Sequence, residues 1–178
     1  MYMTKLIVGI DLQNDFITGK LGSKDAQAIV PKITDYLNSL VCNDENETMY
    51  AVFTMDTHFN QDSKNPIDSK FTKHCLKNTD GWLINNEILS IFNYNVDYVE
   101  KSSYAVNDKF KKIYDGNYTE IVIFGLCTDI CVIANAIEFY KLYPMSKITI
   151  MSELCAGTTV ENHNMALHLM KVMGFNVI

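Results

Sequence analysis

Arginine is the residue type that this sequence lacks altogether. All 15 basic residues among its 178 are lysines, and 21 acidic residues give a formal net charge of −6. Proteins that bind nucleic acid grip phosphates with clustered cations and read bases most often with arginine, so we expect no nucleic-acid partner. The same absence argues against a site that clamps a polyanion through a bidentate guanidinium.

Long hydrophobic runs and an even set of cysteines are also missing. No apolar stretch approaches the roughly 20 residues that cross a bilayer, and the start of the chain does not resemble a signal peptide. The five cysteines are Cys42, Cys75, Cys127, Cys131 and Cys155. Their odd number and wide spread favour free thiols, so we expect a cytoplasmic protein without a membrane partner.

Short apolar runs rich in β-branched residues alternate with helical patterns along the chain. The runs are Leu6–Ile10, Tyr50–Met55, Val96–Val99, Ile121–Phe124, Ile148–Met151 and Phe175–Ile178. The helical patterns are Asp25–Leu40, Trp82–Phe92, Asn107–Tyr114, Asp129–Leu142 and Val160–Met173. This alternation predicts a single α/β domain over residues 1–178, a three-layer sandwich with a six-stranded, mainly parallel, Rossmann-like sheet flanked by helices.

Two of these helices carry more specific predictions. Proline is tolerated best in a first turn, so Pro31 predicts that the first helix begins a few residues after Asp25. The last helix is expected to bury one apolar face, which comprises Ala166, Leu169, Met170 and Met173.

Chemically versatile side chains follow four of the predicted strands. Asp11 follows the first run, Asp56 and His58 the second, Lys101 the third and Cys131 the fourth. Open parallel sheets bind ligands beyond the carboxyl ends of their strands. We therefore expect an acid, a metal-type pair, a lysine and a thiol to converge on one edge of the sheet.

The first candidate site within this group is a metal site. Asp56 and His58 are two residues apart, so an extended backbone places both side chains on the same side. The long polar segment Thr57–Gly81 carries His74, which can fold back to the same point. One aspartate and two histidines suit zinc, iron or manganese. The alternative is a strand-end acid beside two surface histidines.

The second candidate is a nucleophilic thiol. Cys131 lies in the first turn of the predicted Asp129–Leu142 helix, with Asp129 as its cap, and a helix N-terminus stabilises a thiolate. Asp11 would take the thiol proton and Lys101 would stabilise the resulting anions. The alternatives are a buried structural cysteine, a turn aspartate and a surface lysine.

These residues lie in segments that resemble the isochorismatase-like cysteine hydrolases, most closely their nicotinamidase/pyrazinamidase branch. The matching segments, in family order, are VGIDLQNDF (Val8–Phe16), MDTH (Met55–His58), FTKHCLKNT (Phe71–Thr79), EKSSY (Glu100–Tyr104) and GLCTDICV (Gly125–Val132). The resemblance implies hydrolysis of nicotinamide to nicotinate and ammonia through a cysteine thioester, a reaction of NAD salvage.

The resemblance also implies roles for individual residues around the thiol. It implies a catalytic triad of Asp11, Lys101 and Cys131. It further implies a cis peptide bond between Leu126 and Cys127, with the backbone N–H groups of Cys127 and Cys131 forming an oxyanion hole.

The resemblance implies one divalent metal ion, zinc with iron or manganese as alternatives, bound by Asp56, His58 and His74. It would orient the pyridine ring. Asp68 is the candidate for a further ligand and Asp62 is the alternative, both within a metal-binding loop at about residues 56–81.

A ring-binding pocket is the last feature that the resemblance implies. Its lining is expected to comprise Phe16, Phe71, Tyr104 and Leu126. Aromatic faces suit a flat heteroaromatic substrate, and the alternative role for Phe16 and Tyr104 is core packing.

Several other functions are alternatives. Within the superfamily they are isochorismatase, N-carbamoylsarcosine amidase and ureidoacrylate hydrolase. Isochorismate is a dicarboxylate, so the missing arginine and the D-x-H…H set argue against it. A catalytically silent interaction protein would leave the acid, lysine and thiol unexplained, and a metal-binding module would leave the thiol unexplained. The family often forms assemblies, so a homo-oligomer is a further expectation.

Overall fold

The computed structural model describes residues 4–41, 48–59, 70–90 and 96–178 of the chain. The strands are β1 (Thr4–Ile10), β2 (Thr48–Asp56), β3 (Val96–Lys101), β4 (Glu120–Leu126), β5 (Lys147–Ala156) and β6 (Asn176–Val177). They form one sheet in the order β3-β2-β1-β4-β5-β6, and every neighbouring pair is parallel. The predicted six-stranded sheet is confirmed, and each predicted run coincides with a strand.

Helices flank this sheet. In the described residues they are α1 (Asn14–Ile17), α2 (Lys24–Val41), α3 (Asn86–Leu89), α4 (Asp108–Ile113), α5 (Ile133–Leu142) and α6 (Val160–Val172). From β1 through β2 to β3 the chain moves toward one edge of the sheet, and from β4 through β5 to β6 it moves toward the other edge. Because crossovers between parallel strands are right-handed, the helices of these two halves lie on opposite faces of the sheet. The strand order reverses between β1 and β4, and the crevice beyond their carboxyl ends is where such sheets bind ligands.

The two central strands are covered on both faces. Residues 6–10 of β1 and residues 121–126 of β4 are all buried. Continuous burial explains why these strands read as unbroken apolar runs and not as an alternating pattern. None of the described helices has both the length and the apolar character of a membrane span.

Helix α2 corrects one prediction. It begins at Lys24, and the Ser23 hydroxyl accepts a hydrogen bond from the Ala26 N–H at 3.0 Å. Pro31 lies in the helix interior, so the prediction of a start after Asp25 was wrong. Proline inside a helix costs about 3 kcal/mol, but the helix buries an apolar face whose members each contribute roughly 1.5–3 kcal/mol. That face comprises Ile29, Val30, Ile33 and Leu37.

The predicted Trp82–Phe92 helix is replaced by two shorter elements. A 3₁₀ turn covers Asp80–Trp82, and α3 starts only after Asn85, whose side chain accepts from the Glu87 N–H. Between them, Ile84 forms an antiparallel bridge with Gln13. This tertiary pairing keeps the backbone extended where the local pattern favoured a helix. Residues 91–95 lie outside the described part of the chain.

The predicted apolar face of the last helix is only half correct. Ala166 and Met170 are buried, but Leu169 and Met173 are each 48% exposed. Helix α6 packs over the edge of the sheet, where β6 has only two residues, so there is too little sheet to cover the whole face.

Gly125 is required by the close approach of β4 to β1. Its φ is +124°, and an added Cβ would lie 2.2 Å from the Ile10 carbonyl oxygen. We expect Gly125→Ala to lower the free energy of unfolding by more than about 3 kcal/mol in urea titration, since backbone strain and overlap add. Gly174→Ala is the matched control, because its φ is +92° and nothing lies within 4 Å. An equal loss of unfolding free energy in the two variants would contradict the conclusion that the close approach of β4 to β1 requires Gly125.

Candidate active site

Asp11, Lys101 and Cys131 meet at the carboxyl edge of the sheet. Asp11 follows β1, Lys101 ends β3, and Cys131 lies in the turn after β4. The Lys101 Nζ is 2.7 Å from Asp11 Oδ2 and 3.7 Å from Cys131 Sγ. All three side chains are buried. The structure therefore brings together the acid, lysine and thiol that the sequence placed at three separate strand ends.

The backbone and a neighbouring hydroxyl orient Asp11. Its φ of +50° is unusual for a non-glycine residue, and its N–H donates to the Thr54 carbonyl on β2. The Thr54 hydroxyl donates to Asp11 Oδ1 at 2.7 Å. Oδ2 forms a buried ion pair with Lys101 Nζ at 2.7 Å. Thr54 therefore holds one carboxylate oxygen of Asp11 and Lys101 holds the other.

Burial and charge decide where protons reside in this cluster. Burial raises the pKa of Asp11, although the Lys101 charge opposes it. Burial would lower the pKa of Lys101, but the charges of Asp11, Cys131 and Asp56 outweigh it and raise that pKa. Burial raises the pKa of the Cys131 thiol, and the Asp11 charge adds to the effect. A protonated thiol beside a carboxylate of raised proton affinity is suited to proton transfer.

The turn that carries Cys131 corrects the predicted start of its helix. Residues Thr128–Val132 form a π-helical turn, and α5 starts only at Ile133. Asp129 does not cap this helix. Its carboxylate accepts hydrogen bonds from the Thr158 N–H and hydroxyl. These bonds tie the turn to the end of β5, which explains why the chain departs from α-helical geometry here.

His163 on α6 also holds this turn, through a contact of 2.8 Å between its Nδ1 and the Thr128 hydroxyl. Burial lowers the pKa of His163, although the charges of Asp129 and Asp25 oppose it. The unfolded chain therefore binds more protons than the folded one just below the ordinary histidine pKa of about 6.5. It follows that the free energy of unfolding falls as the pH drops through this range.

We expect His163→Gln to reduce this acid-side loss of stability, because glutamine can still bond Thr128 but does not titrate. The measurement is urea unfolding at about pH 7.5 and about pH 5.5 for both proteins. The other histidines are the same in both proteins, so the comparison isolates His163. An equal or larger loss in the variant would refute the assignment.

Asp56, His58 and His74 form the second cluster of the site. Asp56 Oδ2 lies 2.9 Å from His58 Nε2 and 3.1 Å from His74 Nε2, and the three ligand atoms all lie within 4.8 Å of one another. His74 Nδ1 donates to the Thr72 carbonyl, which orients the ring so that Nε2 faces Asp56 Oδ2, on the side where a metal ion would bind. Burial would raise the pKa of Asp56, but hydrogen bonds from both histidines lower it. An ionised carboxylate and two imidazoles fit a divalent metal ion.

Two buried residues that sequence reasoning did not single out hold this cluster. The Gln13 side chain accepts from the Asp56 N–H and donates to the Asp56 carbonyl. Asp15 accepts from the N–H of Cys75, next to His74, at 2.7 Å. Both lie in the segment Val8–Phe16, so the motif contained them without indicating their roles. Asp68 and Asp62, the candidates for a further ligand, lie outside the described residues.

One cavity of about 250 Å³ adjoins both clusters. It is lined by all four predicted pocket residues, Phe16, Phe71, Tyr104 and Leu126, and by Cys131, Asp56, His58 and His74. The Phe16 ring packs edge-on against His74 at 5.4 Å. Leu21, Ile130 and Thr158 also line it, and the sequence carried no signal for them. The Leu126–Cys127 peptide bond is cis.

Comparisons with known proteins agree with the observed fold. Residues 5–178 match the family model described as the isochorismatase domain. A Bacillus subtilis (strain 168) protein, named as an uncharacterized isochorismatase family protein PncA, is 28% identical over 187 residues, covering 98% of this chain and 99% of that protein. The crystal structure of a pyrazinamidase/nicotinamidase from Streptococcus mutans UA159 has a TM-score of 0.84 at 29% identity, covering 98% of this chain and 99% of that one.

A third similarity is to a crystal structure that contains zinc. The crystal structure of a pyrazinamidase of Pyrococcus horikoshii in complex with zinc has a TM-score of 0.76, and 98% of each chain is covered. Its identity to this chain is 22%, so the similarity is one of fold.

Proposed function

This chain belongs to the isochorismatase family, and we propose that it is a nicotinamidase, which hydrolyses nicotinamide to nicotinate and ammonia. The observation that carries the proposal is one cavity of about 250 Å³ that adjoins both the Cys131 thiol and the three ligand atoms of Asp56, His58 and His74. A thiol at one end suits attack on a carboxamide, and a metal site at the other suits a ring nitrogen. The nicotinamidase and pyrazinamidase relatives support the same substrate class.

The first step transfers the thiol proton of Cys131 to the Asp11 carboxylate. The Lys101 ammonium, 3.7 Å from the sulfur, then stabilises the thiolate. The sulfur attacks the carboxamide carbon, and the backbone N–H groups of Cys127 and Cys131 would stabilise the oxyanion. Asp11 returns its proton to the amide nitrogen, the C–N bond breaks, and ammonia leaves a thioester on Cys131.

The second step consumes a water molecule. Asp11 accepts a proton from the water, whose oxygen attacks the thioester carbon. The C–S bond then breaks, and Asp11 passes the proton back to the sulfur of Cys131. The products are nicotinate and the free thiol, so each turnover restores the starting cluster.

Asp56, His58 and His74 would hold the metal ion, for which we propose zinc. When bound, the ion supplies a Lewis-acid contact that orients the ring through its nitrogen. Phe16 and Phe71 approach His74 edge-on, so aromatic side chains adjoin the place where the ring would lie. Orientation of this kind lowers the activation barrier by bringing the carboxamide carbon to the sulfur.

A panel of substrates tests the proposal. Purified protein loaded with zinc is mixed in turn with nicotinamide, pyrazinamide, N-carbamoylsarcosine, ureidoacrylate and isochorismate, and products are identified by NMR. We expect the two heteroaromatic amides to be hydrolysed at the highest kcat/KM. Preferential hydrolysis of any of the other three would reject the nicotinamidase assignment in favour of that activity.

We also propose a cytoplasmic location. Cys75, Cys127, Cys131 and Cys155, the cysteines of the described residues, are free. Free thiols are typical of a reducing compartment, and the chemistry requires that Cys131 stay reduced. Cys42 lies outside the described part of the chain.

A further inference from the structure

We propose that Asn135 is a positioning residue that aligns the Cys131 turn with the loop that follows Lys101. The inference rests on the proposed role of Cys131 as nucleophile. Asn135 is fully buried on the first turn of α5, and its side chain does not line the substrate cavity. A buried amide is costly unless it is hydrogen-bonded, and asparagine is a poor helix former. We therefore expect Asn135 to have a role other than packing.

The hydrogen bonds of Asn135 provide that reason. Its Nδ2 donates to the Cys131 carbonyl at 2.7 Å and to the Tyr104 carbonyl at 3.0 Å. Its Oδ1 accepts from the Val106 N–H at 3.0 Å. One side chain thus joins the backbone of the nucleophile to the backbone of residues 104–106, which lie about thirty positions away in the chain.

This link helps to fix the distance between Lys101 Nζ and Cys131 Sγ. Lys101 Nζ donates to the Ser103 carbonyl at 3.1 Å, so the ammonium is tied to the loop that Asn135 anchors one and three residues further along, at Tyr104 and Val106. The sulfur belongs to the turn that Asn135 anchors from the other side. A displacement of either segment would change the 3.7 Å separation of Nζ and Sγ. Errors of about 1 Å in such an arrangement can cost on the order of 100-fold in rate.

Asn135→Leu tests the proposal, because leucine has the same branching at Cγ and removes all three hydrogen bonds. We expect kcat for nicotinamide to fall by at least about 10-fold and KM to change by less than about 3-fold, since the metal ligands and Phe16 belong to other elements. Hydrogen exchange at the Val106 amide should become faster, because that N–H loses its acceptor. If the leucine variant fails to fold, Asn135→Ala replaces it in all of these measurements.

Thr149→Val is the matched control. Thr149 is also a buried polar residue with side-chain hydrogen bonds, to Glu120 and Asn176, but it lies near the start of β5, away from the carboxyl edge. The proposal predicts that this variant keeps the parent kcat and the parent exchange rate at Val106. An equal loss of kcat in both variants would show a general effect of stability and would overturn the proposal.

Alkylation of Cys131 by iodoacetamide, followed by peptide mass spectrometry, provides a readout that needs no substrate. We expect Asn135→Leu to slow this alkylation by about 10-fold, because the ammonium that assists thiolate formation is no longer aligned with the sulfur. Faster alkylation would mean that the turn has only opened, and it would overturn the proposal, as would a kcat within about 2-fold of the parent. If the parent releases no ammonia from nicotinamide, the proposed function fails, while alkylation and exchange still decide the role of Asn135.

Discussion

Cys131→Ala is expected to reduce kcat/KM for nicotinamide by roughly 10⁴-fold or more. The variant loses the sulfur atom that, in the proposed mechanism, forms the covalent bond to the carboxamide carbon. The metal content should stay at the parent level, because Cys131 contacts Lys101 and not the three metal ligands. The measurement combines ammonia release with metal analysis of the same protein sample.

Cys155→Ala is the matched control for this prediction. Cys155 is a free, buried cysteine on β5 that does not line the cavity adjoining Cys131. We expect it to keep the parent kcat within a small factor. Ammonia release by Cys131→Ala at a rate close to that of the parent would contradict the nucleophile assignment, whatever the control does.

Asp56→Ala is expected to lose the bound metal ion and to raise KM for nicotinamide on the order of 100-fold. Asp56 Oδ2 contacts both histidines, so its removal deprives the cluster of its anionic ligand and of the group that aligns His58 and His74. Each histidine alone is a weak ligand, and an incomplete set does not retain zinc. The measurement is metal stoichiometry after dialysis, followed by steady-state kinetics without added metal.

Asp108→Ala is the control for the loss of one carboxylate. Asp108 is on the surface at the start of α4, where it pairs with Lys141 at 3.5 Å. This variant should retain both metal and KM. Parent-level metal content in Asp56→Ala would contradict the proposed ligand set.

The sheet and the convergence of the site residues were predictable because they follow from patterns that the sequence states directly. Unbroken apolar runs such as Leu6–Ile10 indicate strands buried on both faces, and parallel strands bring their carboxyl ends to one edge. Asp11, Lys101 and Cys131 follow three such runs, so their meeting needed no long-range information. The two-residue spacing of Asp56 and His58 likewise predicted that their side chains project to the same side of an extended backbone.

The features that could not be predicted depend on contacts between distant segments. Gln13 and Ile84 pair across the chain and interrupt a helix that the local pattern favoured. The π-helical turn at Cys131 depends on bonds from Thr158 and His163, which no local pattern reveals. Asn135 gave no signal, because a helix-interior asparagine is visible as unusual only once its three partners are known.

Ammonia release from nicotinamide, measured on the metal-loaded protein, after chelation and after metal is restored, tests the central proposal most directly. We expect turnover in the loaded protein, its loss on chelation and its recovery with zinc, with nicotinate formed in equal amount to ammonia. Absence of ammonia release from fully loaded protein, or turnover that persists unchanged after the metal has been removed, would contradict the proposal.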